Sequence, residues 1–182
     1  MFFLRKSSLE RLPIVMSGVR MGERALQIGV ADSSLVGAIA TKVGLSGHAA
    51  VVVADERHAS RVRGAAGRAG ALVDVQVSPL DTLPLADGSF DVVVVHAGGV
   101  RPDLSGASGV AVLRDALRVL RSGGRVVVIE GSGPGVMARF RASPSADTGA
   151  MLTALASAGF KATRLLAERE GYRFFEGLKH DT

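Results

Sequence analysis

The 182-residue chain has no cysteine and no tryptophan, and only 4% of its residues are aromatic. Without cysteine, the chain cannot form disulfides, thiolate zinc sites, iron–sulfur clusters or cysteine nucleophiles. The scarcity of aromatic residues argues against the nucleic-acid modules that stack bases on aromatic rings. A core must therefore be packed from valine, leucine, isoleucine and alanine, and hydrophobic residues make up 47% of the chain.

Long apolar runs and blocks of like charge are also missing. No stretch of about 18 apolar residues predicts a membrane-spanning helix. The N-terminal Met1-Phe2-Phe3-Leu4 is too short for a signal peptide and its basic residues follow it, so we expect a cytoplasmic protein. The net charge is +5, but the basic residues are scattered, and a nucleic-acid partner is therefore not expected.

Strand-like and helical patterns alternate along the chain, which predicts an α/β fold with short connections. Several valine-rich runs are apolar on both strand faces, as in sheets that helices cover on both sides. We expect one Rossmann-like, doubly wound domain at residues 21–182, preceded by an N-terminal extension at residues 1–20. The predicted strands are 25–28, 49–54, 72–77, 90–95, 125–130, 162–167 and 172–176, and the predicted helices are 33–43, 56–69, 110–120 and 149–158.

In such a sheet, ligands bind beyond the carboxyl ends of the strands. Gly29 ends the first predicted strand, where a glycine either lets a nucleotide approach the backbone or simply makes a turn. Asp55 ends the second strand, where a carboxylate either accepts hydrogen bonds from ribose hydroxyls or only caps the next helix. His96 ends the fourth strand as a candidate general base, a ligand contact or a structural histidine.

Two further features limit the ligand. Asp32 lies at a predicted helix N-terminus, where its carboxylate would repel a pyrophosphate, which argues against NAD and FAD. The four histidines show no metal-ligand spacing, so no metal site is predicted.

Three passages match the pattern of one enzyme family. Residues 83–94, LPLADGSFDVVV, resemble an "LPF-x-DGSFD-VV" passage into a fourth strand, and residues 113–128, LRDALRVLRSGGRVVV, resemble an "RVLrPGG" helix and fifth strand. Ala158-Gly159-Phe160 resembles the "aGF" before a final hairpin. The chain thus resembles the class I S-adenosylmethionine-dependent methyltransferases, close to the small type 11 methyltransferase domain. The resemblance implies a seven-stranded, mostly parallel sheet with an antiparallel C-terminal strand and helices on both faces.

The same resemblance implies S-adenosylmethionine as the cofactor and points to the residues that would bind it. These are Gly29, Asp55, Glu56, Leu80 through its backbone N–H, and His96. Three positions depart from the family pattern: Gln27 replaces an acid, Ala31 replaces a glycine of the turn, and Pro79 replaces an acid after the third strand.

The expected function is therefore methyl transfer from S-adenosylmethionine to an unidentified acceptor. The alternative is a catalytically inactive relative that serves as an interaction or scaffold subunit, because the departures fall in the cofactor site. Residues Met1 to Leu4 would then anchor the chain to a protein partner or to a membrane surface. Arginine stripes at 57, 61 and 68 and at 114, 118 and 121 leave nucleic-acid association as a third hypothesis.

Overall fold

Seven strands form one sheet in the computed structural model, which describes residues 11–96, 104–131 and 148–180. The strands are β1 (Arg24–Ile28), β2 (His48–Val53), β3 (Asp74–Val77), β4 (Phe90–His96), β5 (Leu120–Gly131), β6 (Lys161–Arg169) and β7 (Tyr172–Leu178). Their order across the sheet is β3-β2-β1-β4-β5-β7-β6, and β7 is antiparallel to both of its neighbours. The fold class predicted from the sequence is confirmed.

The helices are α1 (Leu12–Met16), α2 (Ser33–Val43), α3 (Glu56–Ala69), α4 (Ala107–Val119) and α5 (Thr148–Ala158). Helices α1, α2 and α3 cover one face of the sheet, and α4 and α5 cover the other. The central strands are buried on both faces, as the valine-rich runs predicted. Within the described part of the chain, no helix combines the length and apolar character needed to cross a membrane.

Helix α1 lies in the segment that the sequence suggested as an N-terminal extension. Ile14 of α1 and Val19 after it are each only 1% exposed and pack in the core that α2 forms against the sheet. The segment from residue 11 onward is thus part of the packed structure, while the domain boundary at residue 21 stays a prediction. The suggested anchor at Met1 to Leu4 lies outside the described residues.

Two arginines of the stripe at 114, 118 and 121 bind other residues of the protein. Arg118 donates to the carbonyl oxygens of Leu83 (2.9 Å) and Leu85 (2.8 Å) and pairs with Asp115 (2.6 Å). Arg121 pairs with Asp91 at 2.5 Å. Arg118 therefore holds the loop before β4 against α4, and Arg121 ties the start of β5 to β4.

Candidate functional site

Gly29 makes the turn that carries the chain from β1 towards α2. Its φ of +71° lies in the left-handed region that favours glycine, and its N–H donates to the carbonyl oxygen of Val52 (3.0 Å). A Cβ atom at this position would lie 3.4 Å from the carbonyl oxygen of His96 and 4.0 Å from Cδ1 of Leu80. The structure therefore brings together three residues that the sequence assigned to cofactor binding: Gly29, Leu80 and His96.

The N-terminus of α2 carries a paired negative charge. Asp32 caps the helix and accepts hydrogen bonds from the backbone N–H (2.9 Å) and hydroxyl (2.7 Å) of Ser34. Arg11 donates to the other carboxylate oxygen at 2.7 Å. Burial favours the neutral carboxyl, but the bonds from Ser34 and Arg11 outweigh it and lower the pKa of Asp32. A phosphate at this helix end would meet an ionised carboxylate, as the sequence argument against dinucleotides required.

Two uncharged polar side chains lie buried where β1 and β4 end. Gln27 is 1% exposed and His96 is 4% exposed. Gln27 pairs in register with Val94, so Gln27 and His96 project from the same face of the sheet. The Gln27 amide donates to the carbonyl oxygen of Gly29 (3.1 Å), but its Oε1 and both ring nitrogens of His96 have no hydrogen-bond partner among the described residues.

The charge state of His96 follows from its surroundings. Burial lowers its pKa to about 4, although the nearby carboxylate of Asp32 favours the protonated ring. The imidazole is therefore neutral at physiological pH, with one nitrogen able to donate a hydrogen bond and the other able to accept one.

A narrow cleft lies above His96 between α1 and α2, and it has no room for a water molecule. Its wall is mostly apolar, and Arg11 and Asp32 form a charged pair beside it. Tyr172 of β7 also faces this pair, and burial raises the pKa of its hydroxyl. The residues that line the cleft are Arg11, Pro13, Ile14, Asp32, Leu35, Ala38 and His96.

Asp55 lies after β2, at the same edge of the sheet as Gly29. Its Oδ1 accepts hydrogen bonds from the backbone N–H (2.9 Å) and the ring Nδ1 (2.8 Å) of His58, which caps α3. These two bonds lower the pKa of Asp55, so the carboxylate is ionised. The side chain is still 52% exposed, and a ligand can reach it. The helix-cap interpretation is correct, and the ribose-binding role stays a prediction.

The structure places Glu56 and Glu130 away from this site. Glu56 begins α3, is exposed and pairs with Arg63 along the helix, so its cofactor role also stays a prediction. Ile129 is the register partner of His96, and Glu130 therefore projects from the opposite face, where it pairs with Arg173 at 2.6 Å. Within residues 11–96, 104–131 and 148–180, no group of three acidic or histidine side chains is arranged to hold a metal ion.

Sequence reasoning missed Arg11 and Tyr172 as residues of this site. Neither lies in a recognisable motif, and they are separated from Asp32 by 21 and 140 positions. The only hint was Asp32 itself, because a carboxylate at a partly buried helix start calls for a cationic partner.

Known proteins resemble both the sequence and the fold. A family model described as "Methyltransferase domain" matches residues 26–128. The ubiquinone/menaquinone biosynthesis C-methyltransferase UbiE of Ectopseudomonas mendocina is 37% identical over 131 residues, which cover 69% of this chain and 48% of the relative. The chain therefore spans about half the length of that curated relative.

Two solved structures share the fold at low sequence identity. A SAM-dependent methyltransferase from Aquifex aeolicus aligns with a TM-score of 0.74 and 16% identity, over 96% of this chain and 93% of that chain. The [4+2]-cyclase SpnF aligns with a TM-score of 0.70 and 15% identity, over 94% of this chain and 79% of that chain. Because a cyclase shares this fold, architecture alone does not determine the reaction.

Proposed function

The chain belongs to the methyltransferase-domain family, and on this basis we propose that it transfers a methyl group from S-adenosylmethionine to a carbon atom of its acceptor. S-adenosylmethionine is the cofactor of this family. Transfer to carbon is inferred from the C-methyltransferase that is 37% identical to the chain. The observation that carries the proposal is that the Gly29 turn lies against Leu80 and the backbone of His96 at the ends of β1 and β4.

The residues present are compatible with this cofactor. The turn at Gly29 has no Cβ, which allows close approach to the backbone, and Gln27 and His96 have buried polar atoms without partners among the described residues. Asp32 at the start of α2 disfavours a pyrophosphate but tolerates a ligand that carries positive charge. S-adenosylmethionine supplies a methyl group on a positively charged sulfur and has no phosphate.

We assign the following roles to the chain's own residues. Asp55 accepts hydrogen bonds from the ribose hydroxyls, and the backbone N–H of Leu80 faces the adenine. The turn at Gly29 holds the amino-acid portion of the cofactor, with Gln27 beneath it as an uncharged hydrogen-bonding group. The main catalytic requirement of such a transfer is that the acceptor is held in line with the methyl group.

Calorimetric titration of the full chain with S-adenosylmethionine, and separately with S-adenosylhomocysteine, tests the proposal. We expect saturable binding of both compounds. If a folded sample gives no binding heat up to high micromolar concentrations, the enzymatic proposal fails. The inactive scaffold suggested by Gln27, Ala31 and Pro79 would then be the better description.

Asp55→Asn is expected to weaken cofactor binding with little effect on stability. Asparagine caps helices as well as aspartate does, so α3 stays capped. The amide nevertheless loses the negative charge that strengthens hydrogen bonds from the ribose hydroxyls. We expect the Kd measured by calorimetry to rise about tenfold or more.

Asp74→Asn is the matched control, because Asp74 is exposed at the opposite end of the sheet. Its Kd should equal that of the wild-type chain. Equal affinities of all three proteins would exclude a contact between Asp55 and the ribose.

A further inference from the structure

Three large hydrophobic side chains protrude at one edge of the sheet. Met21 is 80% exposed, Leu45 98% and Leu72 85%, and they are the most exposed large hydrophobic residues in the described part of the chain. Each lies in the loop that precedes a strand: Met21 before β1, Leu45 before β2 and Leu72 before β3. We call these three side chains the loop tips. Single exposed hydrophobic residues are common on protein surfaces, but a group of them at one place marks an interaction surface.

The topology brings the loop tips together. Because β1, β2 and β3 are parallel neighbours, the loops before them meet at the amino-terminal edge of the sheet. Neighbouring strands are about 5 Å apart, which places the three loops within about 10 Å across the sheet. A Cβ atom on Gly44 would lie 3.8 Å from Cγ of Met21, so Met21 lies beside the loop that carries Leu45. The loop tips therefore belong to one surface.

Basic side chains surround the loop tips. Arg20 and Arg24 lie on either side of Met21 in the chain, and Arg68 lies in the last turn of α3, just before the loop of Leu72. The three arginines are exposed, and none of them pairs with a carboxylate among the described residues.

The acidic side chains at the same edge do not cancel this charge. Glu23 pairs with Arg125 at 3.0 Å, and Asp91 pairs with Arg121 at 2.5 Å. Asp74 at the start of β3 is exposed and adds one negative charge. The surface around the loop tips therefore presents more positive than negative charge, in line with the net charge of +5 for the whole chain.

We propose that this edge of the sheet docks onto an anionic lipid bilayer, with the loop tips among the lipid headgroups and Arg20, Arg24 and Arg68 against the lipid phosphates. Binding to such a surface increases with the apolar area that is buried and with the attraction between basic side chains and anionic lipids. Gly29 and Asp55 follow the carboxyl ends of the same strands, so the candidate cofactor site lies at the edge that faces away from the bilayer. The inference does not depend on the proposed methyl transfer.

Other partners fit this surface less well. A second copy of the chain would bring the basic side chains of both copies together, and like charges oppose association. Nucleic acid would bind the arginines through its phosphates but would leave the apolar loop tips without a partner. Protein interfaces centre on aromatic or arginine anchors in well-packed pockets, whereas the loop tips are aliphatic side chains that protrude. A bilayer supplies both an apolar region and phosphates.

Co-sedimentation of the full chain with lipid vesicles tests the proposal. The probes are vesicles of equal amounts of phosphatidylglycerol and phosphatidylcholine, and vesicles of phosphatidylcholine alone, each at low and at high salt. One variant changes all three loop tips to serine, and a second variant carries Arg20→Gln and Arg68→Gln. Because all of these side chains are exposed, circular dichroism should show that both variants are folded.

Each variant has a matched control. The control for the loop tips changes the other exposed large hydrophobic residues of the described chain to serine: Val15, Val77 and Leu165. The control for the charges carries Arg114→Gln and Arg169→Gln. These arginines are also exposed, but Arg114 lies on α4 and Arg169 ends β6 at the opposite edge of the sheet.

We expect the wild-type chain to bind the anionic vesicles at low salt and to be released at high salt, because salt screens the attraction between arginines and phosphates. Binding to phosphatidylcholine alone should be weaker by about tenfold or more. The serine variant and the double arginine variant should each bind the anionic vesicles about tenfold more weakly than wild type or worse. Both control variants should bind within about threefold of wild type.

Any of four results would overturn the inference, and none of them bears on the proposed methyl transfer. The first is that the folded wild-type chain does not bind anionic vesicles at low salt. The second is that the variants and their controls lose binding equally, which would mean that this edge has no special role. The third is a dimer in analytical ultracentrifugation that the serine changes dissociate, which would assign the surface to a second copy. The fourth is tighter binding to duplex DNA that depends on the arginines and not on the loop tips.

Discussion

Replacing Arg118 with methionine is expected to lower the free energy of unfolding by about 2–3 kcal/mol, a large loss for a residue outside the core. Its guanidinium donates to the carbonyl oxygens of Leu83 and Leu85 and pairs with Asp87 (2.5 Å) and Asp115 (2.6 Å). These partners hold the guanidinium in its charged form and raise its pKa. Methionine keeps the aliphatic contacts of the side chain but leaves the carbonyl of Leu85 and the carboxylate of Asp115 without this donor.

Urea unfolding followed by circular dichroism measures this loss, because the chain has no tryptophan to report on unfolding. Arg114→Met is the matched control, since Arg114 is an exposed arginine one turn earlier on the same helix. It should change the free energy of unfolding by less than about 0.5 kcal/mol. If the two variants unfold at the same urea concentration, the network around Arg118 does not stabilise the protein.

This network explains why the passages that carry the family resemblance were easy to recognise. The loop before β4 is fastened to α4 through Arg118, and Asp91 is fastened to Arg121. Residues whose side chains connect the elements of the fold form motifs that can be recognised in the sequence. The strand and helix patterns were equally readable, because burial on both faces of β2 and β4 demands uninterrupted apolar residues.

The site was only partly readable for a physical reason. Gly29, Asp55 and His96 follow strands, so the rule that ligands bind at strand ends identified them. Arg11 contributes by tertiary packing of α1 against α2, and no local pattern around residue 11 predicts that placement. Asp55 shows a different limit of sequence reasoning. An aspartate at this position caps α3 and also suits a ribose contact, so the residue type alone does not distinguish the two roles.

The pH dependence of stability provides the second large effect, and it depends on His96. The ring has a pKa of about 4 in the folded protein against 6.5 in an unfolded chain. Between these two pH values the unfolded state binds a proton that the folded state does not bind. The free energy of unfolding therefore falls as the pH falls. The separation of the two pKa values corresponds to about 3 kcal/mol lost between pH 6.5 and pH 4.

Urea unfolding of wild type and His96→Leu at a series of pH values from about 7 to about 4.5 tests this expectation, because the variant has no group to protonate there. The wild-type protein should lose stability over this range, and His96→Leu should lose much less.

The carboxyl groups of Asp32, Asp91 and Asp115 have lowered pKa values. The stabilisation that they provide is lost mainly as the pH approaches and passes below 3.8, and the loss is equal in both proteins. At neutral pH, His96→Leu should be at least as stable as wild type, because an apolar side chain replaces a buried imidazole that has no partner in the described part of the chain. A variant that is less stable at neutral pH and follows the wild-type pH profile would mean that the imidazole is a packed structural group. The same measurement therefore separates a side chain kept for packing from one kept for chemistry, since only the second is expected to cost the empty protein stability.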